Sequence, residues 1–84
     1  MREMQERLHH LSKPEKRILR GYIEGKTRTQ NFSLADGVVG GLVAEHIVFR
    51  ASNISSSYDY FAYNIQPWAW EYLSEHRQLL DPEG

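Results

Sequence analysis

An 84-residue chain with 40% hydrophobic and 25% charged residues is long enough for one small globular domain and too apolar for a disordered segment. Ten Lys and Arg against eleven Asp and Glu leave a net charge of -1, which argues against a domain whose main task is to hold nucleic acid. The chain has no cysteine, so disulfides, thiolate catalysis and Cys-ligated zinc are excluded, and no run approaches the roughly 18 apolar residues of a membrane span. The polar start lacks the apolar region of a secretory signal, so a cytoplasmic location is predicted.

Charge is divided unevenly along the chain. Residues 1–28 hold eight Lys and Arg against four Glu, whereas residues 29–84 hold two Arg against seven acids. This division indicates either two solvated faces of opposite sign that pack near each other or an N-terminal side that contacts anions.

The first strong helix signal begins at Ser12. Glu15 stands at the capping-box position and Pro14 suits the first turn of a helix. The helix is predicted over residues 13–24, with Gly25 as its stop. Its apolar stripe consists of Ile18, Leu19, Tyr22 and Ile23.

The middle of the chain predicts another helix. Residues 26–32 are polar and rich in Thr, which indicates an extended connector or a short strand. Ser33 and Asp36 repeat the capping-box spacing, so a helix is predicted over residues 34–45. Its apolar stripe consists of Leu34, Val38, Val39, Leu42 and Val43. Three interior glycines, each costing about 1 kcal/mol relative to Ala, indicate that another backbone approaches this helix closely. They are Gly37, Gly40 and Gly41.

Two strand-like runs and a last helix follow. Residues 47–52 and 60–65 alternate in the manner of strands and predict an antiparallel hairpin with a loop at residues 53–59. One side of the first run carries Ile47, Phe49 and Ala51, and one side of the second carries Phe61, Tyr63 and Ile65. The last helix is predicted over residues 67–80. Its apolar face consists of Ala69, Tyr72, Leu73, His76, Leu79 and Leu80.

The succession of elements predicts an α+β fold that is mainly helical. Helices followed by a two-stranded antiparallel hairpin and a C-terminal helix are typical of a winged-helix-like domain. Residues 1–11 are expected to form a lead-in helix or linker, residues 12–80 the domain, and residues 81–84 a tail. The predicted core consists of Ile18, Leu19, Tyr22, Ile23, Leu34, Val38, Leu42, Ile47, Phe49, Phe61, Tyr63, Trp68, Tyr72 and Leu73.

A winged helix raises the hypothesis of nucleic-acid binding, which the side chains do not favour. The helix in the reading position carries Asp36 and Glu45, whereas base recognition uses basic, amide or hydroxyl side chains. The wing, residues 53–59, holds no Lys or Arg. Arg28 and Gln30 in the connector make a weak phosphate site, because only two groups are present. Nucleic acid is therefore kept as the disfavoured alternative.

Positive charge gathers instead on the helix of residues 13–24. Four cations at i, i+3, i+4 and i+7 form a stripe opposite its apolar face, and two more follow along the chain. The set is Lys13, Lys16, Arg17 and Arg20, then Lys26 and Arg28. A solvated face is the common outcome of such a run. The functional alternative is contact with an acidic protein patch or with anionic lipid headgroups, to which each Lys or Arg adds about 1 kcal/mol.

The sequence predicts neither catalysis nor a cofactor. His9 and His10 are neighbours that point in different directions on a helix, so they do not chelate together. His46 suits a capping position at a helix-to-strand junction, and His76 suits packing on an apolar helix face. No metalloprotease, phosphate-loop or nucleophile motif is present, so we expect no enzyme, no cofactor and no metal.

The aromatic residues exceed what one small core can bury. Tyr58, Tyr60 and Trp70 lie out of phase with the predicted apolar faces. One interpretation is that the last helix covers the hairpin. The other is a protein-contact or self-association surface, since aromatic anchors dominate such interfaces.

Four sequence blocks resemble the C-terminal cytoplasmic part of superinfection exclusion protein B, a family of temperate phages and prophages of enteric bacteria. They are KTRTQ at residues 26–30, DGVV at 36–39, IVFRASN at 47–53 and FAYNIQPWAW at 61–70. The resemblance implies an inner-membrane protein that blocks development of a second infecting phage after its DNA has entered. It carries no catalytic residues over to this chain.

Members of that family have membrane-spanning helices ahead of this part, and this chain shows none. The resemblance therefore implies either an excised soluble domain or a stand-alone relative. If membrane helices precede Arg2, the basic residues would lie near the anionic cytoplasmic leaflet. Two function classes stay open: a protein-interaction module of a membrane-tethered exclusion factor, and a winged-helix nucleic-acid-binding or phage regulatory protein.

Overall fold

The computed structural model describes residues 2–52, 54–55 and 58–81, with the backbone alone for residues 2–4. Four α-helices and three strands form this part of the chain. In order they are α1 (Arg2–Arg7), a 3-10 turn (Leu8–His10), α2 (Lys13–Glu24), β1 (Thr29–Ser33), α3 (Gly37–Ala44), β2 (Val48–Arg50), β3 (Tyr60–Ile65), α4 (Pro67–Glu75) and a second 3-10 turn (Arg77–Leu80). The architecture confirms the predicted α+β class, and the winged-helix likeness stays a prediction.

The three strands form one antiparallel sheet in the order β1–β3–β2. Strand β3 pairs with β2, as the predicted hairpin requires, and Val48 lies opposite Ile65. Strand β1 comes from the Thr-rich connector and pairs with the other edge of β3, with Thr29 opposite Asn64 and Ser33 opposite Tyr60. The connector is therefore a strand where the sequence left two options open. Within the predicted loop, residues 53, 56 and 57 lie outside the described residues.

Helix α2 follows its prediction at both ends. The Ser12 hydroxyl accepts from the Glu15 backbone N–H, and the Glu15 carboxylate accepts from the Ser12 N–H at 2.8 Å, which completes the capping box. Gly25 is the C-cap. The predicted stripe faces the core, because Leu19 and Tyr22 are fully buried.

Helix α3 begins three residues later than predicted. The prediction that Ser33 caps it is wrong, because Ser33 is the last residue of β1 and its hydroxyl donates to the Asp59 carboxylate at 2.6 Å. Asp36 is the actual N-cap and accepts from the N–H groups of Val38 and Val39. Leu34 therefore lies outside the helix and is 51% exposed, so its assignment to the core is also wrong.

The phase predicted for β2 is wrong, whereas that of β3 is right. Tyr63 and Ile65 of β3 are buried, as expected. On the other strand, Ile47 and Val48 are both buried and Phe49 is exposed. Ile47 precedes β2 at the end of a turn and donates its N–H to the Leu42 carbonyl, so the strand alternation starts one residue later than its sequence pattern suggested.

The last predicted helix is divided at His76, whose backbone angles (φ -129°, ψ 53°) leave the helical region. Helix α4 ends at Glu75, and the second 3-10 turn follows. Ala69, Leu73 and Leu80 from this segment are buried. The hydrophobic core lies between the helices and one face of the sheet. Its buried members are Leu8, Leu19, Tyr22, Ile23, Val39, Leu42, Ile47, Val48, Tyr63, Ile65, Ala69, Leu73 and Leu80.

The glycines of α3 do not serve a close backbone approach. A Cβ built on Gly37, Gly40 or Gly41 would meet nothing within 4 Å, so that prediction is wrong. Close neighbours are found instead at Gly25, the C-cap of α2, and at Gly21 inside α2. A Cβ on Gly21 would lie 2.5 Å from the side-chain oxygen of Gln30, whose amide donates to the Ile18 carbonyl at 3.1 Å.

Candidate interaction surfaces

The predicted basic stripe is exposed only in part. Lys13 and Arg17 are exposed and Arg20 is half-buried. Lys16 is buried, and its ammonium donates to the Asp81 carbonyl at 2.8 Å, which fastens the chain after α4 onto α2. The outer surface of α2 therefore presents fewer cations than the sequence pattern indicated.

Arg28, one of the predicted basic contact residues, lies beside Trp70, one of the predicted aromatic contact residues. The guanidinium of Arg28 lies 4.7 Å from the centroid of the Trp70 ring, within the range of a cation–π contact. Lys26 is exposed, in a turn where its φ is 53°. The structure thus joins Arg28 and Trp70, which the sequence had assigned to separate surfaces.

The three predicted contact aromatics do not form one surface. Tyr58 is 95% exposed with φ 50°, and Tyr60 is 47% exposed at the start of β3. Tyr60 pairs with Ser33 at one end of β1, whereas Arg28, the neighbour of Trp70, adjoins the other end. Tyr58 and Tyr60 therefore lie at one end of the sheet, and Trp70 lies near the opposite end.

Within the part of the chain that the structure describes, one face of the sheet carries side chains that are exposed or half-buried. Residues in register point to the same side of a sheet and alternate along each strand, so the buried Tyr63 and Ile65 define the inner face. A bond from the Thr29 hydroxyl to the Asn64 side-chain oxygen, at 2.6 Å, spans the opposite face. The side chains of this outer sheet face are Thr29, Asn31, Ser33, Phe49, Tyr60, Ala62 and Asn64.

No side chain on the outer sheet face is charged, although a quarter of the whole chain is. Phe49 is 36% exposed and Tyr60 is 47% exposed on it. The sequence prediction assigned Tyr60 to a contact surface but missed Phe49, because Phe49 had been placed in the core. The available signal was the alternation of β3, which turns its even-numbered residues outward once the odd-numbered ones are buried.

A groove of about 490 Å³ runs along the outer side of α4. Gln5 of α1 contributes to one wall. The residues of α4 that line it are Trp68, Trp70, Glu71, Tyr72, Ser74 and Glu75. The sequence pattern gave no sign of a groove, because it depends on how α1 lies relative to α4.

An ion-pair cluster centred on Arg7 joins three helices. The Arg7 guanidinium lies 2.8 Å from the Glu15 carboxylate and 3.5 Å from that of Glu45. Burial acts to lower the pKa of Arg7, but the hydrogen bond and charge of Glu15 outweigh it and raise this pKa. Burial likewise acts to raise the pKa of Glu15, and its bonds from Ser12 and Arg7 bring the pKa below its ordinary value. Arg7 thereby links α1 to the start of α2 and the end of α3.

Two further properties of the described part of the chain bear on function. Among its residues, no group of three or more His, Asp or Glu side chains is placed to hold a metal ion. Nor does any helix within those residues combine the length and the apolar character needed to cross a bilayer.

A protein-family model described as super-infection exclusion protein B matches residues 1–77. Comparison with curated proteins gives no match, and comparison with solved structures gives none either.

Proposed function

The chain belongs to the super-infection exclusion protein B family, as its sequence blocks predicted, and on that premise we propose that this domain acts in superinfection exclusion by binding a protein partner and not by catalysis. In the proposed role, that contact blocks development of a second infecting phage after its DNA has entered. The domain would lie on the cytoplasmic side of the inner membrane, tethered there when membrane helices precede it in a longer chain.

The outer sheet face is the observation that carries this proposal. Four of its seven side chains are Thr, Ser or Asn, as expected for a solvated sheet face, but none is charged. Interface cores are likewise poor in charged residues, and they are rich in aromatic ones. Phe49 and Tyr60 supply two aromatic anchors, and the small side chain of Ala62 between them leaves room for a partner to approach. Tyr58, beyond the end of the face, adds an exposed ring at a backbone angle that non-glycine residues adopt at a cost.

Plating of a superinfecting phage on cells that express the protein tests this function. Phe49→Lys and Tyr60→Lys each place a charge on the outer sheet face, and we expect either to restore plaque formation that the wild type suppresses. Gln78→Lys, at an exposed position of the second 3-10 turn, adds the same charge outside the outer sheet face and the groove along α4, and is expected to keep exclusion intact. Equal exclusion by all four proteins at equal soluble levels would overturn the proposal.

The partner on this face is either another protein or a second copy of the chain. Sedimentation velocity over a range of protein concentrations separates the two. A dimer of the wild type that Phe49→Lys dissociates would identify self-association, whereas a monomer of both leaves a different protein as the partner.

Contact with an anionic membrane is a second candidate, favoured by the exposure of Lys13 and Arg17 on α2. Each such cation contributes about 1 kcal/mol near a negatively charged surface. Co-sedimentation with phosphatidylserine and phosphatidylcholine vesicles is the test. Arg17→Glu should weaken binding to the anionic vesicles on the order of tenfold, while Arg50→Glu, a charge reversal on β2, should have less effect. Equal binding to both vesicle types would contradict this candidate.

Nucleic-acid binding remains the lesser alternative. The exposed residues of α3 are Gly37, Gly40, Gly41 and Ala44, and Glu45 follows them, so this helix offers no donor for base edges. A salt-dependent mobility shift with random duplex DNA would favour the alternative over the protein-contact proposal.

A further inference from the structure

We propose that the groove along α4 binds a cationic peptide segment that carries an apolar anchor, as a site separate from the outer sheet face. Its volume of about 490 Å³ lies within the usual range of ligand pockets and suits one or two side chains. Three aromatic residues and two carboxylates line it, which matches a segment with Lys or Arg beside an aliphatic or aromatic residue.

The aromatic walls of the groove are held in place before any partner binds. The Trp68 indole N–H donates to the His46 carbonyl at 3.0 Å. The Tyr72 hydroxyl lies 2.6 Å from the His9 ring, and the His76 ring stacks on Tyr72 at 4.1 Å. These side chains therefore lose little conformational entropy when a partner binds, which favours binding.

The Trp70 ring holds a guanidinium already. Arg28 contacts it at 4.7 Å without lining the groove, so the side chain that forms this wall sits in a cation–π contact within the free domain. This contact orders the Trp70 ring before any partner binds.

The carboxylates give the groove its charge preference. Glu71 and Glu75 are exposed and lie one helical turn apart, on the same side of α4. The ion pairs found among the described side chains involve Arg7 and His10, and neither groove carboxylate takes part in them. An anionic segment would face both carboxylates, whereas two cations of a partner spaced by one helical turn would match them.

The groove contains its own reporter, since the chain has two tryptophans and both line it. The experiment titrates the intact protein with a hexapeptide that alternates lysine and leucine, and follows tryptophan emission. The comparison peptide replaces each lysine by glutamate. We expect a saturable emission change with the lysine peptide alone, weakened by added salt.

Two sets of variants localise the binding. Glu71→Gln combined with Glu75→Gln should raise the dissociation constant on the order of tenfold, as expected for two exposed charge pairs. Glu24→Gln, an exposed carboxylate on α2, should leave it unchanged, and thermal unfolding by circular dichroism checks that each variant is folded. Equal binding of both peptides, equal affinity of the double variant, or no emission change up to about 1 mM lysine peptide would each overturn the proposal. None of these outcomes depends on exclusion by the outer sheet face.

Discussion

The hydroxyl of Tyr22 joins α2 to the central strand from inside the core. The side chain is fully buried, and its O–H donates to the Tyr63 carbonyl at 2.8 Å. Burial, with the nearby Tyr63 as a second cause, raises the pKa of Tyr22 well above its ordinary value. A buried donor of this kind stabilises the fold only while it keeps its proton and its acceptor.

Removal of the Tyr22 hydroxyl should destabilise the domain without leaving a large cavity in the core. Tyr22→Phe keeps the ring and leaves the Tyr63 carbonyl without this donor, so we expect the free energy of unfolding to fall by about 1–2 kcal/mol. Urea denaturation followed by circular dichroism measures it. Tyr58→Phe, at a 95% exposed ring, is the control and should change stability by less than about 0.5 kcal/mol.

The same hydroxyl predicts a loss of stability in alkali. The unfolded chain releases the Tyr22 proton near pH 10, whereas the folded chain holds it to higher pH, so the unfolded state binds fewer protons and stability falls as pH rises. Between pH 10 and 11 the wild type should lose about 1 kcal/mol more than Tyr22→Phe. Equal losses in urea titrations of the two proteins would show that Tyr22 does not cause this dependence.

Helix α3 is the element whose sequence suits its structure least. Gly40 and Gly41 lie inside it, and a Cβ on either would meet open space. Glycine inside a helix is unfavourable because it loses more backbone freedom on folding than alanine does. Without a close neighbour to require them, these glycines weaken α3.

Alanine at these positions should therefore stabilise the domain. Gly40→Ala and Gly41→Ala are each expected to raise the free energy of unfolding by about 0.5–1 kcal/mol, measured by urea denaturation. Gly21→Ala, also inside a helix, is the matched control. Its Cβ would displace Gln30 from the Ile18 carbonyl, so we expect a smaller gain or a loss. A larger gain at Gly21 than at Gly41 would contradict this explanation.

Comparison of α2 with α3 shows which helix bounds can be predicted from the sequence. Helix α2 was predicted with its bounds because Ser12 and Glu15 form a local capping box. For α3, two acceptable caps stood close together, and Ser33 was unavailable because pairing with β3, a long-range contact, held it in a strand. The phase of β2 failed for a similar reason, since the turn before Ile47 depends on tertiary packing.

The candidate surfaces show the same limit. Exposure of Lys13, Arg17, Tyr58 and Tyr60 agrees with their periodicity along the chain. Burial of Lys16 did not follow from sequence, because its ammonium bonds to Asp81 far along the chain. The outer sheet face and the groove along α4 likewise depend on contacts between elements that are distant in sequence.

At the scale of the whole molecule, the N-terminal segment packs as part of the domain. Leu8 is fully buried in the core. Arg7 binds the carboxylates of Glu15, in the first turn of α2, and of Glu45, at the C-terminal end of α3. These contacts favour a folding unit that includes α1, whereas the sequence predicted a lead-in helix or linker over residues 1–11 ahead of the domain.

Substitution of Leu8 tests whether the N-terminal segment belongs to the folding unit. Leu8→Ala should lower the free energy of unfolding by about 2–5 kcal/mol, because it leaves a cavity in the core. Leu34→Ala, at a 51% exposed leucine, should change it by less than about 0.5 kcal/mol. Similar small effects of both substitutions in urea denaturation would restore the interpretation of residues 1–11 as a linker.

The order β1–β3–β2 has a consequence for synthesis of the chain. Strand β3 is the last strand to be translated, yet it lies between the other two, which meet only through it. Ser33 can pair only after Tyr60 has been synthesised. Because the loop between these two residues is long, the sheet should form slowly compared with the helices. A nascent chain that stops before β3 leaves the inner sides of α2 and α3 uncovered and open to proteases. Translation must therefore pass Ile65 before β1 or β2 can find its partner strand.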